Sequence, residues 1–212
     1  MSQSETLSQL VGSIPVIPVI VIDELDTAVP LARALVDGGL KVLEVTLRTR
    51  AALDAVRAIR DSVPEAILGV GSVIEPAQFE ASRKAGAVFA VSPGATTALL
   101  DAARDGALAW LPAAQTVSEV LRLREAGYRF QKFFPAEPSG GAAFIRAIGG
   151  PVADVMFCPT GGIDPGKTAS YLELPNVRCV GGSWMCGPAL VRERNWSEVT
   201  ARARGASALR GA

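Results

Sequence analysis

The chain contains no histidine. Nucleophilic and acid–base chemistry therefore falls to Lys, Glu, Asp, Tyr or Cys, because Ser-His and Cys-His pairs and histidine-containing metal sites are excluded. Lys132 is the most informative candidate. It sits in the aromatic and apolar run YRFQKFFP, where an ammonium is costly to desolvate unless it is paired or neutral. Desolvation favours the free amine, a nucleophile toward ketones. The plain alternative is a strand-edge lysine whose head reaches water. In VLEVTLR, alternation puts Glu44, Thr46 and Arg48 on one face and Leu43, Val45 and Leu47 on the other. If the first face is the buried one, the Glu44 carboxylate needs a cation, which Lys132 or Arg48 can supply. An amine beside a proton-shuttling carboxylate is what Schiff-base chemistry requires. A purely structural ion pair would leave the same pattern.

Two glycine-rich clusters follow apolar runs, Thr160-Gly161-Gly162 and Gly181-Gly182-Ser183. Glycines let backbone amides approach a phosphate closely. Gly69, Gly71 and the Ser92-Pro93-Gly94 turn are small residues that keep a pocket mouth open, or else ordinary strand-end turns.

A repeated unit must position these groups. From Ile14 onward, eight short apolar runs alternate with amphipathic Ala/Leu/Arg stretches: PVIPVIVI (15–22), LKVLEVTL (40–47), AILGVGS (66–72), AVFAVS (87–92), ALAWLPA (107–113), YRFQKFF (128–134), VADVMFCP (152–159) and NVRCVGG (176–182). This is the pattern of parallel βα units with strands buried on both faces. In the stretch after the second run, Leu53, Val56 and Ile59 define an apolar helix face. Gly38-Gly39, Gly86, Gly106 and Gly127 mark helix ends. Eight such units predict a single α/β domain over 1–212 folded as a (β/α)8 TIM barrel. An extra N-terminal helix over the first dozen residues is expected to close its bottom. A doubly wound open sheet is the competing architecture, but no G-x-G-x-x-G follows the first run. In such a barrel, catalytic groups occupy the C-terminal strand ends and phosphate sits after the seventh and eighth strands. Glu44, Arg48, Ser72, Lys132 and both glycine clusters are therefore expected at one mouth.

Lys plus Arg and Asp plus Glu are balanced at 21 each, which argues against a nucleic-acid partner. The apolar run from Ile14 to Ile22 is too short to cross a bilayer, and the N-terminus lacks the order of a signal peptide. A cytoplasmic protein with no membrane partner is the expectation. Cys158, Cys179 and Cys186 show no CxxC spacing and read as free buried thiols.

The segments VLEVTLRT, SPGATTALL, KFFPAE, CPTGGI and VGGSW resemble the 2-keto-3-deoxy-6-phosphogluconate (KDPG) aldolases, many of which also act on 4-hydroxy-2-oxoglutarate. The resemblance runs from about Ile14 to Ala201. It implies a class I aldolase of the Entner–Doudoroff route that cleaves KDPG to pyruvate and glyceraldehyde 3-phosphate. A homotrimer with no metal and no cofactor is implied as well. By motif, Lys132 corresponds to the Schiff-base lysine, Glu44 to the general acid/base and Arg48 to a ligand of the pyruvate carboxylate. Ser72 stands in GVGSV where the family usually has GAGTV; its hydroxyl can serve the same carboxylate, with a freer rotamer once β-branching is lost. Pro93 matches the pyruvate end. Thr160, Gly161, Gly162, Gly182 and Ser183 match the substrate and phosphate loops. Ala113, in LPAAQTVSE, replaces a family glycine, and its extra bulk is expected at the mouth after the fifth strand. The alternatives are an aldolase for 4-hydroxy-2-oxoglutarate or for the phosphogalactonate epimer, a non-catalytic phosphosugar-binding barrel, and an isomerase that needs no imine.

Overall fold

The structure, a computed structural model, describes residues 3–12, 14–104 and 106–209. Its strands are β1 (Val16–Ile20), β2 (Val42–Thr46), β3 (Ile67–Gly71), β4 (Phe89–Val91), β5 (Ala109–Leu111), β6 (Ala113–Ala114), β7 (Phe130–Phe133), β8 (Met156–Pro159) and β9 (Val180–Gly182). All pairings among them are parallel. Each of the eight apolar runs carries strand structure. The fifth run carries two pieces, because Pro112 has no N–H to donate and interrupts the ladder. Up to the break the chain pairs with β4; beyond it, with β7.

Hydrogen bonding accordingly divides the strands into two parallel sheets, where one ring of eight was expected. One has the order β5-β4-β3-β2-β1-β9 and the other β6-β7-β8. Between β8 and β9 only the isolated bridges Phe157 to Val177 and Thr160 to Gly181 form. The first and last strands are neighbours, an adjacency that the doubly wound alternative does not have.

The helices are α1 (Gln3–Val11), α2 (Ala28–Asp37), α3 (Ala52–Ser62), α4 (Ala77–Ala85), α5 (Thr97–Arg104), α6 (Val117–Glu125), α7 (Gly141–Gly149), α8 (Pro165–Leu172), α9 (Pro188–Arg192) and α10 (Trp196–Ser207). In α3 the buried face is Ala52, Ala55, Val56 and Ile59, with Leu53 only half-buried at its edge. Gly39, Gly86 and Gly127 take positive φ just beyond helix ends, the left-handed cap that glycine adopts without a Cβ penalty. Among the described residues, no helix is long and apolar enough to cross a membrane.

Strand alternation creates two cores. In β5, Trp110 turns toward the helices, stacks edge-on with Phe79 at 5.6 Å and Tyr128 at 5.2 Å, and donates from Nε1 to Ser92 Oγ at 2.8 Å. Its neighbours Ala109 and Leu111 belong to a second cluster with Ile17, Val42, Phe89, Val91, Phe130, Cys158 and Cys179. Helix α1 adds Leu7 and Val11 to that inner cluster, and Ser4 Oγ accepts from the Arg129 N–H at 2.9 Å at the start of β7. The expected N-terminal helix thus covers the N-terminal ends of the strands. Leu7→Ala, at a fully buried position, should cost roughly 2–5 kcal/mol. A urea midpoint that falls with an unchanged slope would register that loss.

Candidate active site

Opposite α1, the C-terminal ends of the strands carry the polar residues. β2 is buried along its whole length. Leu43 and Val45 pack outward among the helices, while Glu44 and Thr46 turn inward. Thr46 Oγ1 donates to the Ile20 carbonyl at 2.9 Å. Glu44 meets Lys132 of β7, with Nζ 3.4 Å from Oε1 and only 6% and 4% of the Lys132 and Glu44 side chains exposed. Lys132 Nζ also lies 5.3 Å from the centre of the Phe134 ring. The strand-edge alternative for Lys132 is set aside by this burial.

Gly71 gives the carboxylate its room. A Cβ at that position would stand 2.1 Å from Glu44 Oε1, so the glycine makes space for a side chain of the protein, where an open pocket mouth was expected. Ala113 is corrected similarly. It is buried in β6 as the register partner of Lys132, beside the amine and not at the mouth. Cys158 is the partner of Lys132 on the other side.

Arg48 and Ser72 come together two steps further along. Arg48 Nε donates to Ser72 Oγ at 3.0 Å, so the freer rotamer expected of Ser72 meets a tether. Ser72 also has φ 61°, a left-handed backbone in which a β-branched residue is more strained than serine. Arg48 lines a cavity of about 240 Å³ together with Val19, Phe134, Thr160, Gly161, Gly162, Ile163, Gly181, Gly182 and Ser183. The structure therefore gathers Arg48 and five of the expected loop residues around one space. Lys132 and Glu44 do not line this cavity; Phe134, near the Lys132 amine, and Val19, the register partner of Glu44, do. Pro93 is exposed after β4 and, like Ser72, Lys132 and Glu44, lines neither this cavity nor its neighbour.

That neighbour, about 320 Å³, shares Val19, Arg48 and Ser183, and adds Asp23, Glu24, Thr27, Cys186 and Arg192 among others. Motif reading had not singled out these residues. Cys158, Cys179 and Cys186 are free and buried as expected. Burial pushes the Cys186 thiol up to about 12, which leaves no thiolate there to compete as a nucleophile. Among the described residues, no three His, Cys, Asp or Glu side chains gather into a metal-binding group.

The buried amine has a carboxylate in contact, and the cavity beside it offers Arg48 and glycine backbone to an anion. Removing one member of a buried pair strands the other charge, at a cost of roughly 3–5 kcal/mol. Lys132→Met should lose stability on that scale, and Lys132→Met combined with Glu44→Leu should recover most of it. Urea unfolding of the two single variants and the double variant reads the coupling directly.

The KDPG and KHG aldolase family model matches residues 7–202 of the chain. The 2-dehydro-3-deoxy-phosphogluconate aldolase of Pseudoalteromonas atlantica is 52% identical over 194 residues, covering 92% of this chain and 90% of that one. The KHG/KDPG aldolase of Escherichia coli is 49% identical over 192 residues, covering 91% and 90%. A KDPG aldolase from Legionella pneumophila, solved with pyruvate captured at low pH as a covalent carbinolamine intermediate, superposes with a TM-score of 0.93 at 43% identity, covering 98% of this chain and 99% of that one. With a buried lysine–glutamate pair beside an arginine- and glycine-lined cavity, the chain belongs to the KDPG and KHG aldolase family.

Proposed function

We propose that the chain is a class I aldolase that cleaves KDPG to pyruvate and glyceraldehyde 3-phosphate in the Entner–Doudoroff route, through a Schiff base on Lys132. The observation that carries this reading is the 3.4 Å contact between buried Lys132 Nζ and Glu44 Oε1 beside a cavity fit for an anionic substrate. Glu44 takes a proton from Lys132, and the free amine attacks the C2 ketone. Glu44 returns its proton to the carbinolamine hydroxyl, which leaves as water to give the iminium and restores the Glu44 carboxylate. Arg48 and Ser72 hold the adjacent carboxylate, which makes the attack effectively intramolecular. Glu44 then accepts the C4 hydroxyl proton, the C3–C4 bond breaks, and its electron pair flows into the iminium to give an enamine. Proton return from Glu44 to C3 and hydrolysis release pyruvate and the free lysine. Pro93 is assigned to the pyruvate end by motif alone.

The phosphate is placed against Thr160, Gly161, Gly162, Gly182 and Ser183, where positive φ at Gly161 and Gly162 shapes the turn. Its binding energy is remote from the bond that breaks. 4-Hydroxy-2-oxoglutarate presents the same first four carbons, and the name of the E. coli relative supports it as a second substrate. No metal or cofactor enters this scheme.

One domain over 1–212, closed as a (β/α)8 barrel, is part of the same proposal. Support comes from Pro112 alone separating β5 from β6, and from the bridges across β8 and β9. A cytoplasmic homotrimer without nucleic-acid or membrane partners completes it. Exposed Ile74, Val117 and Leu121 supply apolar surface for subunit contact.

Intact-protein mass spectrometry after pyruvate and borohydride should show one reduced adduct mapping to Lys132, absent in Lys132→Ala. A folded protein that takes no adduct would overturn the imine mechanism. Light scattering at micromolar concentration should give three times the chain's 22.0 kDa; a monomer mass would remove the trimer.

A further inference from the structure

Behind the Thr160–Gly162 turn lies a polar network that the mechanism does not use. Glu137, just after the KFFP segment, is half-buried. Tyr171 of α8, 1% exposed, donates its hydroxyl to Glu137 Oε1. Lys167, in the first turn of α8, places Nζ 2.8 Å from Glu137 Oε2 and 3.9 Å from Asp164 Oδ2. The same ammonium donates to the Gly162 carbonyl at 3.3 Å. The Lys167 ammonium first, then the Tyr171 hydroxyl, hold the Glu137 carboxyl below its usual range.

All three carbonyls of the turn are engaged from this side. Thr160 O accepts from Ala136 N at 2.8 Å, Gly161 O from Glu137 N at 3.1 Å, and Gly162 O from Lys167 Nζ. None of these three donors belongs to a residue that lines the cavity. In a trans peptide the N–H points opposite to the carbonyl, so drawing these oxygens backward turns the amides that follow toward the cavity. Gly162 is needed for the fit, since a Cβ there would stand 2.8 Å from Glu137 Cβ.

We propose that Glu137 is a positioning residue for the anion site: held by Tyr171 and Lys167, it fixes the Thr160–Gly162 turn with its amides facing the substrate phosphate. The assignment rests on the phosphate reading above. It makes Lys167 a structural tie to a carbonyl and a carboxylate, distinct from a direct phosphate ligand.

Glu137→Gln, Lys167→Met and Lys167→Arg should be compared with the wild type on KDPG and on unphosphorylated 4-hydroxy-2-oxoglutarate. For Glu137→Gln and Lys167→Met, KM for KDPG should rise about tenfold, equivalent to about 1.4 kcal/mol, with kcat within about twofold. Kinetics on the unphosphorylated substrate, and borohydride trapping of pyruvate, should stay at the wild-type level. Lys167→Arg, which keeps a cation in reach, should restore KM. Equal losses on both substrates would reduce the network to general stability and overturn the inference, as would unchanged KM for KDPG. Inorganic phosphate added to the wild type separates the underlying reading. Competition with KDPG supports an anion site at this turn, and no competition removes the phosphate reading and this inference with it.

Discussion

A lysine and a glutamate in contact, both almost wholly out of water, constrain everything around them. Neither charge tolerates loss of the other, so β2 and β7 must present these residues inward and at the same depth. Gly71 leaves a gap that the Glu44 carboxylate fills. Ala113 and Cys158 flank Lys132 as register partners, small or weakly polar groups that bring no competing charge to the amine. Arg48 and the glycine loops then sit further along the strands, lining the cavity. On the proposed function, that division of depth separates chemistry inside from recognition at the mouth.

A second pattern concerns what faces away from substrate. The carbonyls of the Thr160–Gly162 turn are occupied by residues that do not line the cavity. Ser72 is similar: its left-handed backbone is held while Arg48 engages its hydroxyl. The shape of the mouth is set by hydrogen bonds running behind or across it.

Much of this was legible in the sequence, for identifiable reasons. Apolar β-branched runs gave the strands, and alternation in VLEVTLR gave the inward face of Glu44 without knowledge of any partner. What failed depended on register. Ala113 was expected at the mouth, yet Pro112 ends one pairing and begins another, which carries Ala113 to the level of Lys132. A single residue along a strand decides such placements, and spacing alone does not determine it. Pro93 comes from motif resemblance alone, and its place at the pyruvate end is part of the proposal. Glu137 and Lys167 went unassigned because their partners lie 34 and 30 positions away. The available signals were an unexplained carboxylate in KFFPAE and a lysine in the helical turn after the glycine pair.

The interruption at Pro112 has a mechanical side. Lys132 rides on the three-stranded sheet and Glu44 on the six-stranded one, so their contact spans the seam that Pro112 opens on one side and that isolated bridges join on the other. On the proposed chemistry the lysine nitrogen alternates between cationic iminium and neutral enamine within each turnover. The electrostatic pull between the sheets then falls at the neutral enamine and returns when protonation at C3 restores the iminium, a changing load across the seam.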